Sequence, residues 1–275
     1  MSAQATGAPA VSKKRSAGSR PEAQSAGAQS LRMPETAAPE LQLRVLEALE
    51  SARRYNRWIA DLTLPFLGDD PLEIGSGIGA SATLWLDSGL RAITVSELDP
   101  ESLRRLHQRF DDDTRVCVTT IDLENTPDAD HSAVVALNVL EHIADDCGAL
   151  RGAVRLVRPG GLVVIFVPAF PFAAGRFDRL IGHHRRYTIA TISRAFATAE
   201  IELESVRYVN APGLAAWFLG VRVLRLIPRD GPLLRLWDRL MIPAVRQLEA
   251  RWSPPFGQSV LAVGRTPESR REGTS

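Results

Sequence analysis

The stretch Leu72-Glu73-Ile74-Gly75-Ser76-Gly77-Ile78-Gly79 decides the fold. A short apolar run carries an acid, ends in three alternating glycines and opens into a helical pattern over residues 78–88. Glycine lets the backbone take positive φ and lets a ligand approach where a Cβ would stand in the way. A strand running through such a turn into a helix begins a β-α-β unit. Ligands of open α/β sheets bind at the carboxyl ends of the strands, where this loop lies.

Outward from the loop, short apolar runs alternate with helical patterns. Strands are expected at 71–75, 92–97, 116–121, 133–137, 162–167, 202–209 and 259–263, and helices at 101–110, 145–157 and 189–199. Pro159-Gly160-Gly161 reads as a sharp turn before the fifth strand. Strands this rich in Val, Ile and Leu argue for a parallel sheet covered on both faces. Upstream, Leu41, Val45, Leu49 and Ala52 share a helical face that Tyr55, Trp58, Ile59, Leu62 and Phe66 continue, with Pro65 and Gly68 ending it. Residues 1–39, poor in large apolar groups, are expected to be a disordered tail, 40–265 one domain and 266–275 a second loose end.

The bulk numbers exclude more than they assign. A net charge of +1 over 275 residues gives no global field that would gather nucleic acid. Two cysteines, Cys117 and Cys147, form neither a disulfide framework nor a metal spacing and suit a reducing compartment. No apolar run follows the basic start of the chain, so no signal peptide is expected. The best candidate for a membrane span, residues 213–227, is interrupted by Arg222 and Arg225. A cytoplasmic protein is therefore expected.

The glycine spacing alone leaves two cofactors open. Gly75, Gly77 and Ala80 also satisfy the dinucleotide fingerprint, and Glu97 stands 22 residues beyond Gly75, where an acid would hold ribose hydroxyls in either case. Glu73 separates them. A carboxylate just before the first glycine suits a cationic ligand, whereas a pyrophosphate would be drawn to the helix N-terminus.

Glu73 to Gly79 resembles the first motif of class I S-adenosylmethionine-dependent methyltransferases. Glu97, followed by Leu98, is similar to the ribose-binding acid of that family's second strand. Asp122, followed by Leu123, is similar to the acid beside the adenine. Asn138-Val139-Leu140-Glu141-His142 resembles the segment after the fourth strand, and Arg158-Pro159-Gly160-Gly161 the turn before the fifth. The resemblance implies an α/β, doubly wound, Rossmann-like sheet of seven strands, mostly parallel with an antiparallel last strand, and a helical insertion over residues 212–252 before it. It also implies S-adenosyl-L-methionine as cofactor, held by Glu73, Gly75, Gly77, Gly79, Glu97, Leu98, Asp122, Leu123 and Asn138. Gly182-His183-His184-Arg185-Arg186-Tyr187 and Tyr55-Asn56-Arg57-Trp58 are similar to segments of a bacterial subgroup found with sugar and lipid-glycan genes.

Methyl transfer to oxygen needs an aligned acceptor and a proton acceptor. His142, His183 and Asn138 are the expected catalytic residues, with His183 favoured over His184 as the histidine facing the site. Between Arg176 and Arg186 stand four arginines and two histidines against one aspartate. His184, Arg185, Arg186 and Tyr187 are accordingly expected to bind the substrate, a small or lipid-linked molecule with an anionic group; pairing of the arginines with Asp178 is the other reading. No metal is expected, because acids at a helix N-terminus explain Asp145 and Asp146 beside His142. Three of the five tryptophans, Trp217, Trp237 and Trp252, fall in the insertion, read as a cap on the sheet, a substrate wall or a helix lying on a membrane. The competing functions are an NAD(P)-dependent oxidoreductase, for which no Tyr-x-x-x-Lys pair is found, and a non-catalytic cofactor-binding protein. The acceptor and the oligomeric state are not encoded in any motif.

Overall fold

The computed structural model describes residues 51–223 and 231–269. The expected tail at 1–39 and the start of the first helix at 41–50 lie outside the described residues, as do 270–275. Seven strands form one sheet in the order β3-β2-β1-β4-β5-β7-β6. They are β1 (Pro71–Ile74), β2 (Ile93–Ser96), β3 (Val116–Thr119), β4 (His131–Leu137), β5 (Val157–Pro168), β6 (Glu202–Val209) and β7 (Ser259–Arg265). The five central and left-hand strands pair in parallel, and β7 runs antiparallel between β5 and β6.

The alternation along β4 and β5 divides the core in two. Val134, Ala136, Val163 and Ile165 face one layer, filled by helices α4 (Asp146–Leu156) and α6 (Ile189–Thr198) through Leu150, Ala153, Ile192 and Phe196. Val135, Val164 and Phe166 face the other. There they meet α1 (Arg53–Thr63), α2 (Ala80–Asp87) and α3 (Pro100–Phe110) through Trp58, Trp85 and Leu106. Period-two strands with both faces apolar can be buried only this way.

The turn expected at 159–161 lies inside β5 instead. Val157 pairs with His131 and Leu162 with Ala133, so the four intervening residues form an irregularity between two paired stretches. Thr266 is buried over it, donating from its amide to the Gly161 carbonyl at 2.9 Å. Ordered packing thus extends past the expected domain end at 265.

The insertion consists of α7 (Ala211–Trp217), a π-helical turn (Phe218–Val223) and α8 (Pro232–Glu249). Helix α8 runs through Pro243 without ending. Its Asp238 is buried and accepts hydrogen bonds from the amides of Arg54 (3.0 Å) and Tyr55 (2.9 Å). The insertion therefore supplies the missing N-terminal partners of α1, a helix whose own N-cap, Ala52, makes no side-chain hydrogen bond. No described helix is long and apolar enough to cross a membrane.

Candidate active site

A cavity of about 500 Å³ opens at the carboxyl ends of β1, β2 and β4. Gly75, Glu97, Leu98, Asp122 and Leu123 line one side, and His142 and His184 the other. Gly75, Gly77 and Gly79 all have positive φ. A Cβ on Gly75 would stand 2.5 Å from Val139 Cγ2. The loop thus needs glycine there for two reasons, conformation and the closeness of the segment after β4. A depression of about 440 Å³ around Gln108 to Arg115 is lined by polar and charged surface side chains and shares no residue with the cavity.

The acids of the strand ends have different tasks. Glu97 accepts from the amides of Gly77 (2.8 Å), Leu98 (2.8 Å) and Asp99 (3.0 Å), so its carboxylate ties the glycine loop to the end of β2. Asp122 is exposed and accepts from the Glu124 amide and the Asn125 side chain, both at 3.0 Å. Those hydrogen bonds, Asn125 first, hold its carboxyl below the usual range. Glu73 is buried and its Oε2 has no hydrogen-bond partner among the described residues. Burial pushes its pKa up to about 7 against the Ser76 and Ser81 hydroxyls, and the Glu97 charge adds to the rise.

These features fit S-adenosylmethionine. A buried carboxyl with an orphaned oxygen suits an ammonium or sulfonium; Glu73 itself, like Gly77 and Gly79, is not among the residues lining the cavity. A glycine cradle closed to any Cβ admits close backbone approach. Asn138 belongs to the same rim: it takes positive φ (55°), and its amide donates to the Phe166 carbonyl at 2.7 Å. Its exposed side chain does not line the cavity.

The opposite wall departs from expectation. His184, rather than His183, lines the cavity beside His142. His183 lies behind, its ring edge-on to His142 with centroids 4.6 Å apart. Its Nδ1 is 3.1 Å from Asp178 Oδ1, while Nε2 is 3.7 Å from Glu141 Oε1. His142 has its pKa lowered to about 4, by burial first and then by His183 and His184, and so stays neutral.

The basic segment, which opens with the short helix α5 (Arg176–Leu180), is neutralised in part within the fold, and Arg176 and Arg179 are exposed. Arg186 is buried, donates from Nε to Asp178 at 2.6 Å, and lies over the Trp217 ring at 4.8 Å. Burial alone would raise the Asp178 carboxyl, but hydrogen bonds from His183 and Arg186 outweigh it and hold the pKa at about 2. Arg185 pairs with Asp146 at 2.7 Å and donates to the Ala144 carbonyl. Tyr187 is buried and donates to the same Asp146 at 2.9 Å. Arg186 and Tyr187 therefore have no surface to offer a substrate. A buried cation must be paired where it stands, and Asp178 does this. Of the four residues expected to bind the substrate, only His184, and in part Arg185, remain open.

Two groups were missed. Glu141 is fully buried; apart from its own amide, neither carboxyl oxygen has a hydrogen-bond partner among the described residues. Burial pushes its pKa up to about 8. An acid inside the apolar run 133–143 was the available signal. Trp217, read as part of a cap, stacks on Arg186 and donates to the Ala173 carbonyl at 3.3 Å. Nothing in its local sequence specifies that contact.

Residues 72–165 match the family described as "Methyltransferase domain". A probable S-adenosylmethionine-dependent methyltransferase of Mycolicibacterium smegmatis is 31% identical over 153 residues, 54% of this chain and 58% of that protein. An uncharacterized methyltransferase of Mycobacterium tuberculosis is 27% identical over 74% of this chain and 82% of its own length. Among solved structures, geranyl diphosphate methyltransferase with bound cofactor superposes with a TM-score of 0.54 at 17% identity, covering 84% of this chain and 92% of that one. Acid-tipped parallel strands, the glycine loop and these relatives converge on one family: the fold is that of class I, Rossmann-fold methyltransferases, residues 72–165 match a methyltransferase domain, and the site fits S-adenosyl-L-methionine.

Proposed function

We propose that the chain methylates an oxygen of a small or lipid-linked acceptor. The observation that carries this is the asymmetry of the cavity, acidic on the glycine-loop side and imidazole-lined on the other. Bound S-adenosylmethionine supplies an activated methyl on a sulfonium that is already a good leaving group. Glu73 and the backbone of Gly75, Gly77 and Gly79 would hold its amino-acid end. Glu97 and Leu98 would hold the ribose, and Asp122 and Leu123 the adenine. The Asn138 backbone shapes the rim between them.

The chain's remaining task is alignment, which is worth on the order of 7–11 kcal/mol when the reacting atoms are well placed. His142, neutral and half-buried, contacts the acceptor oxygen. His184, exposed at the mouth, takes the released proton and passes it to water. His183 acts as a positioning residue, fixed by Asp178 and packed on His142.

A lipid-linked acceptor is favoured by the surface beside this wall. Phe172, Phe218 and Leu219 are exposed large apolar side chains, and Phe172 and Phe218 pack at 6.0 Å. Phe218 directly follows Trp217, which stacks on the Arg186 that, paired with Asp178, braces the crossover segment 176–187, the lid of this wall. The isoprenoid diphosphate in the name of one structural relative is an acceptor of the same apolar-tailed, anionic kind. On α8, Leu236, Leu240 and Leu248 are exposed while both acids, Asp238 and Glu249, are buried, which suits peripheral contact with an anionic membrane.

Calorimetry with S-adenosylmethionine and with NAD, followed by S-adenosylhomocysteine production over phenols, sugars, carboxylic acids and polyprenyl-linked glycans, tests the reading. Turnover with a hydroxyl acceptor is expected. Binding of NAD in preference to the sulfonium nucleoside would overturn it.

A further inference from the structure

We propose that Glu141, His142 and His183 bind a divalent transition-metal ion at the acceptor wall of the cavity. One donor atom from each lies within 4.8 Å of the others. Ligands about 2.1 Å from one ion stand about 3.4 Å apart in tetrahedral geometry, so the site closes with side-chain shifts of roughly an ångström.

Three features separate this cluster from an ordinary buried polar patch. The first is Glu141. It is 0% exposed, and neither oxygen is hydrogen-bonded to another residue among those described. Nearby Arg186 is already engaged by Asp178. A buried carboxylate left in this state is costly unless a cation reaches it.

The second is the orientation of His183. Its Nδ1 faces Asp178 at 3.1 Å, which leaves Nε2 turned toward Glu141 Oε1 at 3.7 Å. That separation is too long for a hydrogen bond, yet it lies close to the span of two ligands sharing an ion. A carboxylate holding the far nitrogen of a histidine is the usual support of a metal-bound imidazole, because it fixes the tautomer and aims the lone pair. Asp178 is in turn fixed by Arg186 and by the Gly175 amide at 2.8 Å. The outer layer of a metal site is therefore built already.

The third is access. His142 lines the cavity, so an ion held through it keeps open positions toward a bound acceptor. Two imidazoles and one carboxylate suit Zn²⁺, Fe²⁺, Mn²⁺ or Co²⁺ better than Ca²⁺ or Mg²⁺. Under the methyltransferase reading, on which this role rests, such an ion would polarise the acceptor hydroxyl and lower its pKa. This replaces the metal-free chemistry expected from the sequence.

The test is to strip the full chain with chelator and titrate Co²⁺, followed by visible absorption, with S-adenosylmethionine calorimetry on the same samples. One equivalent of Co²⁺ should bind and be displaced by Zn²⁺. His183→Ala and Glu141→Gln should each weaken binding at least about 10–100-fold while the surface control His107→Ala leaves it unchanged. Glu141→Gln is isosteric and decides the matter if His183→Ala fails to fold. No saturable binding, or binding that survives Glu141→Gln and His183→Ala undiminished, would overturn the site. Cofactor binding without metal binding refutes the metal alone. Metal binding without cofactor binding refutes the methyltransferase reading and leaves the site standing.

Discussion

The two walls of the cavity are built on different physical terms. The glycine-loop wall is mostly local: Glu97 and Asp122 follow β2 and β3 within a few residues and accept from nearby amides, Glu97 also from the Gly77 amide of the loop, while Glu73 lies within β1. The lid wall is assembled from distant segments. Glu141 follows β4, while Asp178, His183 and Arg186 come from the crossover before α6, and Trp217 from the insertion. A local motif survives as a readable string. A wall made by long-range pairing leaves only residue types whose partners the string does not name.

The sharpest break of this contrast is expected at Asp178. Asp178→Ala would leave Arg186 buried and unpaired, costing about 3–5 kcal/mol. For a domain of this size that is a Tm fall of roughly 6–20 °C, measured by thermal denaturation. A fall within a degree or two would mean that the lid is not held by this pair.

On the other wall, Glu97→Ala should loosen the glycine loop and weaken ligand binding. It removes a charged acceptor from three amides, and hydrogen bonds to charged groups are worth about 1.5–3 kcal/mol. Calorimetry should show S-adenosylmethionine binding weakened by roughly 10–150-fold. Unchanged affinity would place the ribose elsewhere.

Glu73 separates the walls by pH. Its raised pKa means that the folded chain keeps a proton that the unfolded chain has released. The unliganded fold should therefore lose stability as pH rises from the ordinary carboxylate range through about 7. Cofactor affinity should move the opposite way, increasing about tenfold from pH 6 to pH 8 as the carboxylate forms. Glu73→Gln should flatten the affinity profile and leave in the stability profile the part that Glu141, whose pKa is likewise raised, contributes; an affinity that still rises with pH in that variant would assign the dependence to another group.

The smallest effect is expected at Arg185. Its side chain is 31% exposed, and its pair with Asp146 is partly screened. Arg185→Ala should cost about 1 kcal/mol or less in stability. A large rise in acceptor KM from the same change would return this arginine to the role of anion receptor.

Sequence by itself determined the sheet and the cofactor wall. Val134 to Leu137 and Val163 to Val167 alternate between two apolar layers because strand geometry has a period of two, and the glycines of 75–79 permit the positive φ that their turn requires. Adjacent His183 and His184 were bound to face apart for the same geometric reason. Which of them meets the cavity, whether Arg186 greets a substrate or an aspartate, and what surrounds Glu141 depended on the crossover folding back over the end of β4. Those outcomes were set by tertiary structure, because burying a charge is tolerable only where a partner from another segment arrives to meet it.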